Sequence, residues 1–308
     1  MIPTFELEDK KEQDEIVMVW DTTYNITIFD YKTNLLTKQA INNIPYKQFL
    51  ENNRYLNIPQ RVFVSGGIYD NVCTNLFFVI ERKSNKIRKL HNMPVSITRY
   101  SLIYLKGDSI LLAGGTSNKL CYIYSIQKDE WKTSNSLNYE REDASLFCLN
   151  DMLFIFGGRM NINPDFLNTI IEYTYIDEKR RNSHWNIIDL KVNVPDENIL
   201  FLLKISGSGI IIPEVCQNKV FICGGYNSQN IEEANYVYEL VINQRKDEIN
   251  FAELNKRTDL HLVCPSWFCE TNFSTDGKKF YNLDIDGNLH SFNVNMEKFF
   301  FEKYNYEI

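Results

Sequence analysis

The chain has 308 residues, 44% of them hydrophobic and 24% charged, which is enough for one large domain or two ordinary ones. A formal charge of −7 argues against a nucleic-acid partner, which calls for a basic face, and no run approaches the roughly 18 apolar residues of a membrane helix. Seven scattered cysteines without a CxxC pair exclude a zinc ribbon or thioredoxin motif; with an acidic opening stretch (MIPTFELEDKKEQDE) that lacks signal-peptide character, they predict a cytoplasmic protein with reduced thiols and no membrane insertion.

Apolar alternation of period near two, as in SLIYLKGDSILLAG (101–114), predicts strands, and helical periodicity is nearly absent. A first strand is expected near residues 3–8, then two strands in VMVWDTTYNITIFD (17–30) that turn near Asp21. FDYKTNLL sets Phe29 and Leu36 seven apart across a polar turn. RVFVSGG closes a strand on Gly66 and Gly67, and IERKSNKI repeats the seven-residue frame with Ile80 and Ile87. SILLAGG (Gly114, Gly115) leads to YSIQKDEW, where the frame carries Tyr124 and Trp131. MLFIFGG (Gly157, Gly158) leads to a longer version running from Tyr175 to Trp185. KVFICGG (Gly224, Gly225) leads to another from Tyr238 to Phe251. The last unit has FYNLDIDGNLHSFN, with Asp286-Gly287 as an ordinary hairpin signal, then FNVNMEKF (Phe292, Phe299) with an outer strand over 297–304. The glycine pairs lie 48, 43 and 67 residues apart, and the spans 178–184, 191–208 and 243–250 read as loop insertions.

A double glycine after a strand holds phosphate only where it delivers the chain into a helix N-terminus, usually with Lys-Ser/Thr. After Gly158 comes RMNINPDFLNTIIEYTY, a polar loop and another strand, so the pair marks a corner. The unit over 99–141 carries Arg99, Gly114, Gly115, Tyr124, Trp131 and Arg141 in the order of a kelch repeat, and the chain resembles the kelch-repeat family. That resemblance implies a single all-β domain over 1–308. It would be a six-bladed kelch-type β-propeller with four antiparallel strands per blade, blades 1 and 6 being degenerate. Gly66, Gly67, Gly114, Gly115, Tyr124, Trp131, Gly157, Gly158, Trp185, Gly224 and Gly225 are then structural. The glycines would sit beside the bend between second and third strands, where a side chain would collide with the neighbouring blade.

Four histidines (His91, His184, His261, His290) form no constellation. His261, Cys264 and Cys269 match no zinc knuckle, and DIDGN (284–288) has Asn295 where a calcium loop needs its twelfth-position acid. No metal, cofactor or catalytic residue is expected. Kelch-like enzymes include copper oxidases with a crosslinked Tyr–Cys pair and a sugar epimerase; nothing here matches such a site residue by residue, which leaves a propeller enzyme as the last alternative.

The resemblance implies a non-catalytic protein-interaction scaffold instead. Arg54, Arg99 and Arg141 fall in consecutive junctions between one unit's outer strand and the next unit's inner strand. In kelch adaptors of ubiquitin ligases, arginines of this kind grip acidic peptide segments, because guanidinium forks suit carboxylates. Tyr100 and Tyr139 would add aromatic surface beside them, with Asn53, Ser101 and Ser145 as polar neighbours. The same arginines can equally bond loop carbonyls or pair with a neighbouring blade's carboxylate. Two roles compete: a platform subunit of a cytoskeletal or other cytoplasmic assembly, and a substrate-recognition subunit of a ubiquitin ligase. The chain is about 100 residues short of room for a BTB domain, which favours the platform.

Overall fold

Short apolar runs separated by polar turns leave the described residues entirely in strands and loops, with no helix among them. The structure, a computed structural model, describes residues 15–19, 25–30, 35–40, 53–58, 60–81, 84, 86–105, 108–160, 170–176, 184–193, 209–211, 218–223, 236–245, 248–261, 274–275, 279–283, 289–293 and 298–302. The first sheet has three strands, β1 (Glu15–Val19), β2 (Asn25–Asp30) and β3 (Leu35–Ala40). The second is built from β4 (Arg54–Ile58) and β5 (Arg61–Ser65). A small ribbon of β6 (Ile68–Tyr69) and β7 (Val72–Cys73) follows, and then the sheet is completed by β8 (Phe77–Glu81) and β9 (Lys86–Lys89). The third comprises β10 (Ser101–Leu105), β11 (Ser109–Ala113), β12 (Cys121–Ser125) and β13 (Glu130–Ser134).

An eight-stranded sheet joins two runs of four. One run is β14 (Ser145–Leu149), β15 (Met152–Phe156), β16 (Ile170–Tyr175) and β17 (Asn186–Asn193). The other is β18 (Gly209–Ile211), β19 (Lys219–Cys223), β20 (Tyr236–Arg245) and β21 (Glu248–His261). The last sheet has β22 (Ser274–Thr275), β23 (Lys279–Leu283), β24 (Leu289–Asn293) and β25 (Lys298–Glu302). Within each run the strands pair antiparallel in chain order. The corner between second and third strands therefore emerges at the same end as the junction leading to the next run.

First strands lie side by side: β1 beside β4, β4 beside β10, β10 beside β14, and β14 beside β18. Outer strands β17 and β21 pair parallel, with Leu190 opposite Ala252 and Asn193 opposite Asn255. Equivalent strands of sheets related by rotation about an axis must run in the same direction, as these do. The arrangement is all-β and consistent with a β-propeller.

Burial follows from this packing. Second strands β5, β11, β15 and β19 are covered on both faces, which explains their unbroken apolar runs. The outer strands β9 and β13 are mostly exposed, and their lysines (Lys86, Lys89, Lys132) blunt edges that would otherwise template foreign strands. Core clusters fill the gaps between consecutive sheets. Phe63, Phe77 and Val79 of the second sheet meet Leu102, Leu112 and Tyr124 of the third. Leu111 and Cys121 of the third meet Leu153, Ile155 and Trp185.

The seven-residue frame is a cross-strand pair wherever its turn is short. Tyr124 sits opposite Trp131, Phe29 opposite Leu36, Ile80 opposite Ile87, and Phe292 opposite Phe299. Tyr124 and Trp131 bring their ring centroids to 5.0 Å and both pack on Phe77, while the Trp131 indole N–H donates to the His91 carbonyl at 3.1 Å. The buried Trp185 donates to the Asn135 carbonyl at 3.0 Å. These aromatics pack between neighbouring sheets. The frame fails for Tyr238 and Phe251, which face Lys256 and Asn243 because β20 and β21 pair on to Arg245 opposite Glu248, with a register shift between Asn243 and Gln244 on the way.

Two expected insertions shrink accordingly: β17 runs on to Asn193, and β20 and β21 extend to Arg245 and from Glu248. Their ladder is made by backbone groups at an outer position, where polar side chains are tolerated, so the polar sequence hid it. The strand expected at 3–8, Asp21, Gly224, Gly225, Cys264, Cys269 and residues 284–288 lie outside the described residues.

Gly66, Gly114 and Gly158 all have positive φ. A Cβ on Gly114 would lie 2.5 Å from the Arg141 carbonyl oxygen, and one on Gly66 would lie 2.5 Å from the Tyr100 hydroxyl. Both obstacles belong to the junction after the glycine's own sheet or to the start of the next sheet, as a structural corner requires. No helix follows either pair.

Burial also pushes the Cys121 thiol up to about 12 and the Cys223 thiol up as well. Alkylation of the native protein with iodoacetamide, read by peptide mass spectrometry, is expected to label half-buried Cys73 at least ~10-fold faster than Cys121 and Cys223. Equal labelling before unfolding would contradict the packing described.

Candidate interaction face

One end of the sheets gathers the corners and the junctions. Gly115 N–H donates to the Arg141 carbonyl at 2.8 Å, Thr116 N–H to the Thr98 carbonyl at 3.0 Å, and Glu142 and Arg159 exchange both backbone hydrogen bonds. The glycine corners thus fix where the junction residues stand. Five charged side chains meet here: Arg54 at the start of β4, Arg99 before β10, Glu142 and Asp143 before β14, and Arg159 after Gly158.

Asp143 holds the centre. Its Oδ1 accepts from Arg54 Nη2, and its Oδ2 accepts from Arg159 Nη2 at 2.9 Å. Its own N–H donates to the Arg99 carbonyl at 2.7 Å. Glu142 Oε2 accepts from Arg99 Nη1 at 3.3 Å. Side-chain exposure is 16% for Arg54, 17% for Asp143, 37% for Arg159 and 44% for Arg99, so water reaches the cluster without filling it. Arg99 and Asp143 both adopt left-handed backbone, at φ +60° and +51°. Asp tolerates that conformation; for Arg it stores about 1 kcal/mol or more, which the surrounding hydrogen bonds hold in place. Two polar atoms here are buried without a hydrogen-bond partner, Arg159 Nε and Asn53 Oδ1.

Of the residues singled out from sequence, Arg54 and Arg99 are brought together through Asp143, and Tyr139 is half-buried in the same junction as Arg141. Arg141 is elsewhere: its side chain is wholly buried, donating from Nε to Glu172 Oε1 and from Nη1 to the Gly157 carbonyl, both at 2.8 Å. Burial holds its pKa below the usual guanidinium range, with Glu172 pulling the other way. Tyr100 is also fully buried; its hydroxyl donates to Ser65 Oγ at 2.8 Å, and burial raises its pKa. Ser101 and Ser145 are buried as well. These four are turned into the packing between sheets: Ser101 and Ser145 open β10 and β14, Tyr100 bonds Ser65 of the preceding sheet, and Arg141 bonds Glu172 of the following run. Arg159 escaped the sequence reading; its signal was the position directly after the glycine pair, in GGR.

Among the described residues no group of three or more His, Cys, Asp or Glu side chains is arranged to hold a metal ion. No helix there is long and apolar enough to cross a membrane.

No family model matches the chain. Over 221 residues, 66% of its length, the chain is 24% identical to beta-scruin of Limulus polyphemus, a kelch-repeat protein. The match spans 22% of that relative.

Proposed function

We propose that this chain is a six-bladed kelch-type propeller that serves as a non-catalytic protein-interaction platform within a cytoskeletal or other cytoplasmic assembly. The observation that carries the reading is the convergence of Arg54, Arg99 and Arg159 at one end of a stack of sheets, on loops pinned by glycine corners. Rigid blades displaying loop side chains over a broad end suit protein recognition. Guanidinium groups at the centre of such a face are typical anchors of interfaces. The four-stranded runs, the three-stranded first sheet and the distant likeness to a kelch-repeat protein support the blade count and family.

Affinity purification of the tagged protein from its native cells tests this. The Arg54→Ala/Arg99→Ala/Arg159→Ala variant is expected to lose its co-purifying proteins together, by roughly 10-fold or more in recovered amount. Its thermal midpoint is expected to stay within about 5 °C of the parent, since all three side chains are partly solvent-accessible and none belongs to an apolar core cluster. An unchanged partner set from the folded variant would overturn the assignment of this face.

A further inference from the structure

The guanidinium cluster is already occupied by the protein's own acids. Three arginines meet two carboxylates, and Asp143 spends each of its oxygens on a different arginine from a different sheet. We propose that Asp143 is an internal stand-in for the carboxylate of an acidic partner segment, and that such a segment binds by taking over its arginines. This rests on the reading of the face as a partner site and adds how that site is guarded.

Three observations favour exchange over a permanent brace. First, Asp143 is partly solvent-accessible, unlike the wholly buried Arg141–Glu172 pair in the same junction region, so an incoming carboxylate can reach its partners without opening the core. Second, Arg159 donates only Nη2 to Asp143, while its Nε is buried with no acceptor. A guanidinium offers Nε and Nη2 as a parallel fork that a carboxylate fills with both oxygens. Asp143 fills half of it, because its other oxygen is held by Arg54. An acidic side chain from outside can satisfy the whole fork. Third, the Asp143 main chain is held in the left-handed region by its N–H bond to the Arg99 carbonyl, so its side chain can swing off the arginines without moving the loop. Charge then sets selectivity. With Asp143 in place the five-residue cluster carries a net +1, and an acidic ligand meets a screened site; neutral segments gain nothing from it. Without the Asp143 charge the same arginines carry a net +2.

The test uses the full chain and a fluorescein-labelled hexaglutamate peptide, with hexaglutamine as the neutral control, read by anisotropy at low salt. Asp143→Asn keeps the polar shape and tolerates positive φ; Asp143→Gly removes the carboxylate and tolerates it too, and serves if the first variant does not fold. The expected result is hexaglutamate binding about tenfold tighter to either folded variant than to the parent, with no gain for hexaglutamine. Adding Arg54→Ala and Arg159→Ala is expected to abolish the gain. Equal or weaker binding by both folded charge-removed variants overturns the proposal. If that happens while the triple-arginine variant still loses its cellular partners, the face stands and only the guarding role of Asp143 falls.

Discussion

Replacing Glu172 with alanine is expected to lower the unfolding free energy by about 3–5 kcal/mol, measured by urea denaturation. Glu172 sits in the middle of β16 with no exposed surface and serves three donors. Arg141 Nε reaches Oε1 at 2.8 Å, and Asn138 reaches Oε2 from its backbone N–H at 2.6 Å and its side-chain amide at 2.9 Å. That amide also donates to the Trp185 carbonyl at 2.8 Å, so the network ties the end of the third sheet's outer region to the fourth run. Without the carboxylate, the Arg141 guanidinium stays buried with the Gly157 carbonyl as its named acceptor and Nη2 with none. Leaving one charge of a buried pair is far worse than removing both. The double change Arg141→Met/Glu172→Leu is therefore expected to recover at least about half of the loss. A Glu172→Ala protein within about 1 kcal/mol of the parent would show that the pair is not the clamp described here.

The second large effect concerns the corners. Gly114→Ala is expected to destabilise by about 2–4 kcal/mol in the same assay, since two penalties coincide. The backbone sits at φ +71°, and the added methyl would press to 2.5 Å on the Arg141 carbonyl oxygen. That oxygen also accepts the Gly115 N–H, so it cannot retreat without breaking the corner. Gly66→Ala meets an equally close obstacle, but it is the Tyr100 hydroxyl, the end of a side chain. Adding Tyr100→Phe removes that oxygen and is expected to restore part of the Gly66→Ala loss, whereas no side-chain change can relieve Gly114→Ala. Equal, small losses at both glycines would remove the physical reason for the double-glycine pattern.

Much of the architecture was written in local signals. Strand, glycine pair, and the seven-residue frame are short-range features, and each reports a local geometry: a covered second strand, a left-handed corner, a cross-strand pair about a tight turn. The junction arginines were legible as a set but not by exposure. Arg99 stands two residues before β10 in SITRYSL and Arg141 four residues before β14 in YEREDASL; one is half in water and the other has no accessible surface. The place two residues before β14 belongs to Asp143, left-handed like Arg99, while Arg141 turns inward to Glu172, 31 residues beyond it in the mostly apolar IIEYTY. A lone carboxylate inside a covered strand must have a cationic or donor partner, and that was the readable hint of a buried arginine. The parallel pairing of β17 with β21 had no local signature, because it joins strands about 60 residues apart whose outer-facing residues are polar.

The claim on which the rest depends is that three successive sheets curl so that their junctions share one end. A double-mutant cycle on Arg54 and Asp143 measures it, since 89 residues and a whole sheet separate the two in the chain. Arg54→Ala, Asp143→Asn and the double variant are expected to give a coupling of about 1 kcal/mol between these partly buried groups. A coupling within about 0.3 kcal/mol of zero would mean that the second sheet and the junction before β14 do not meet, and the face built from them would not exist.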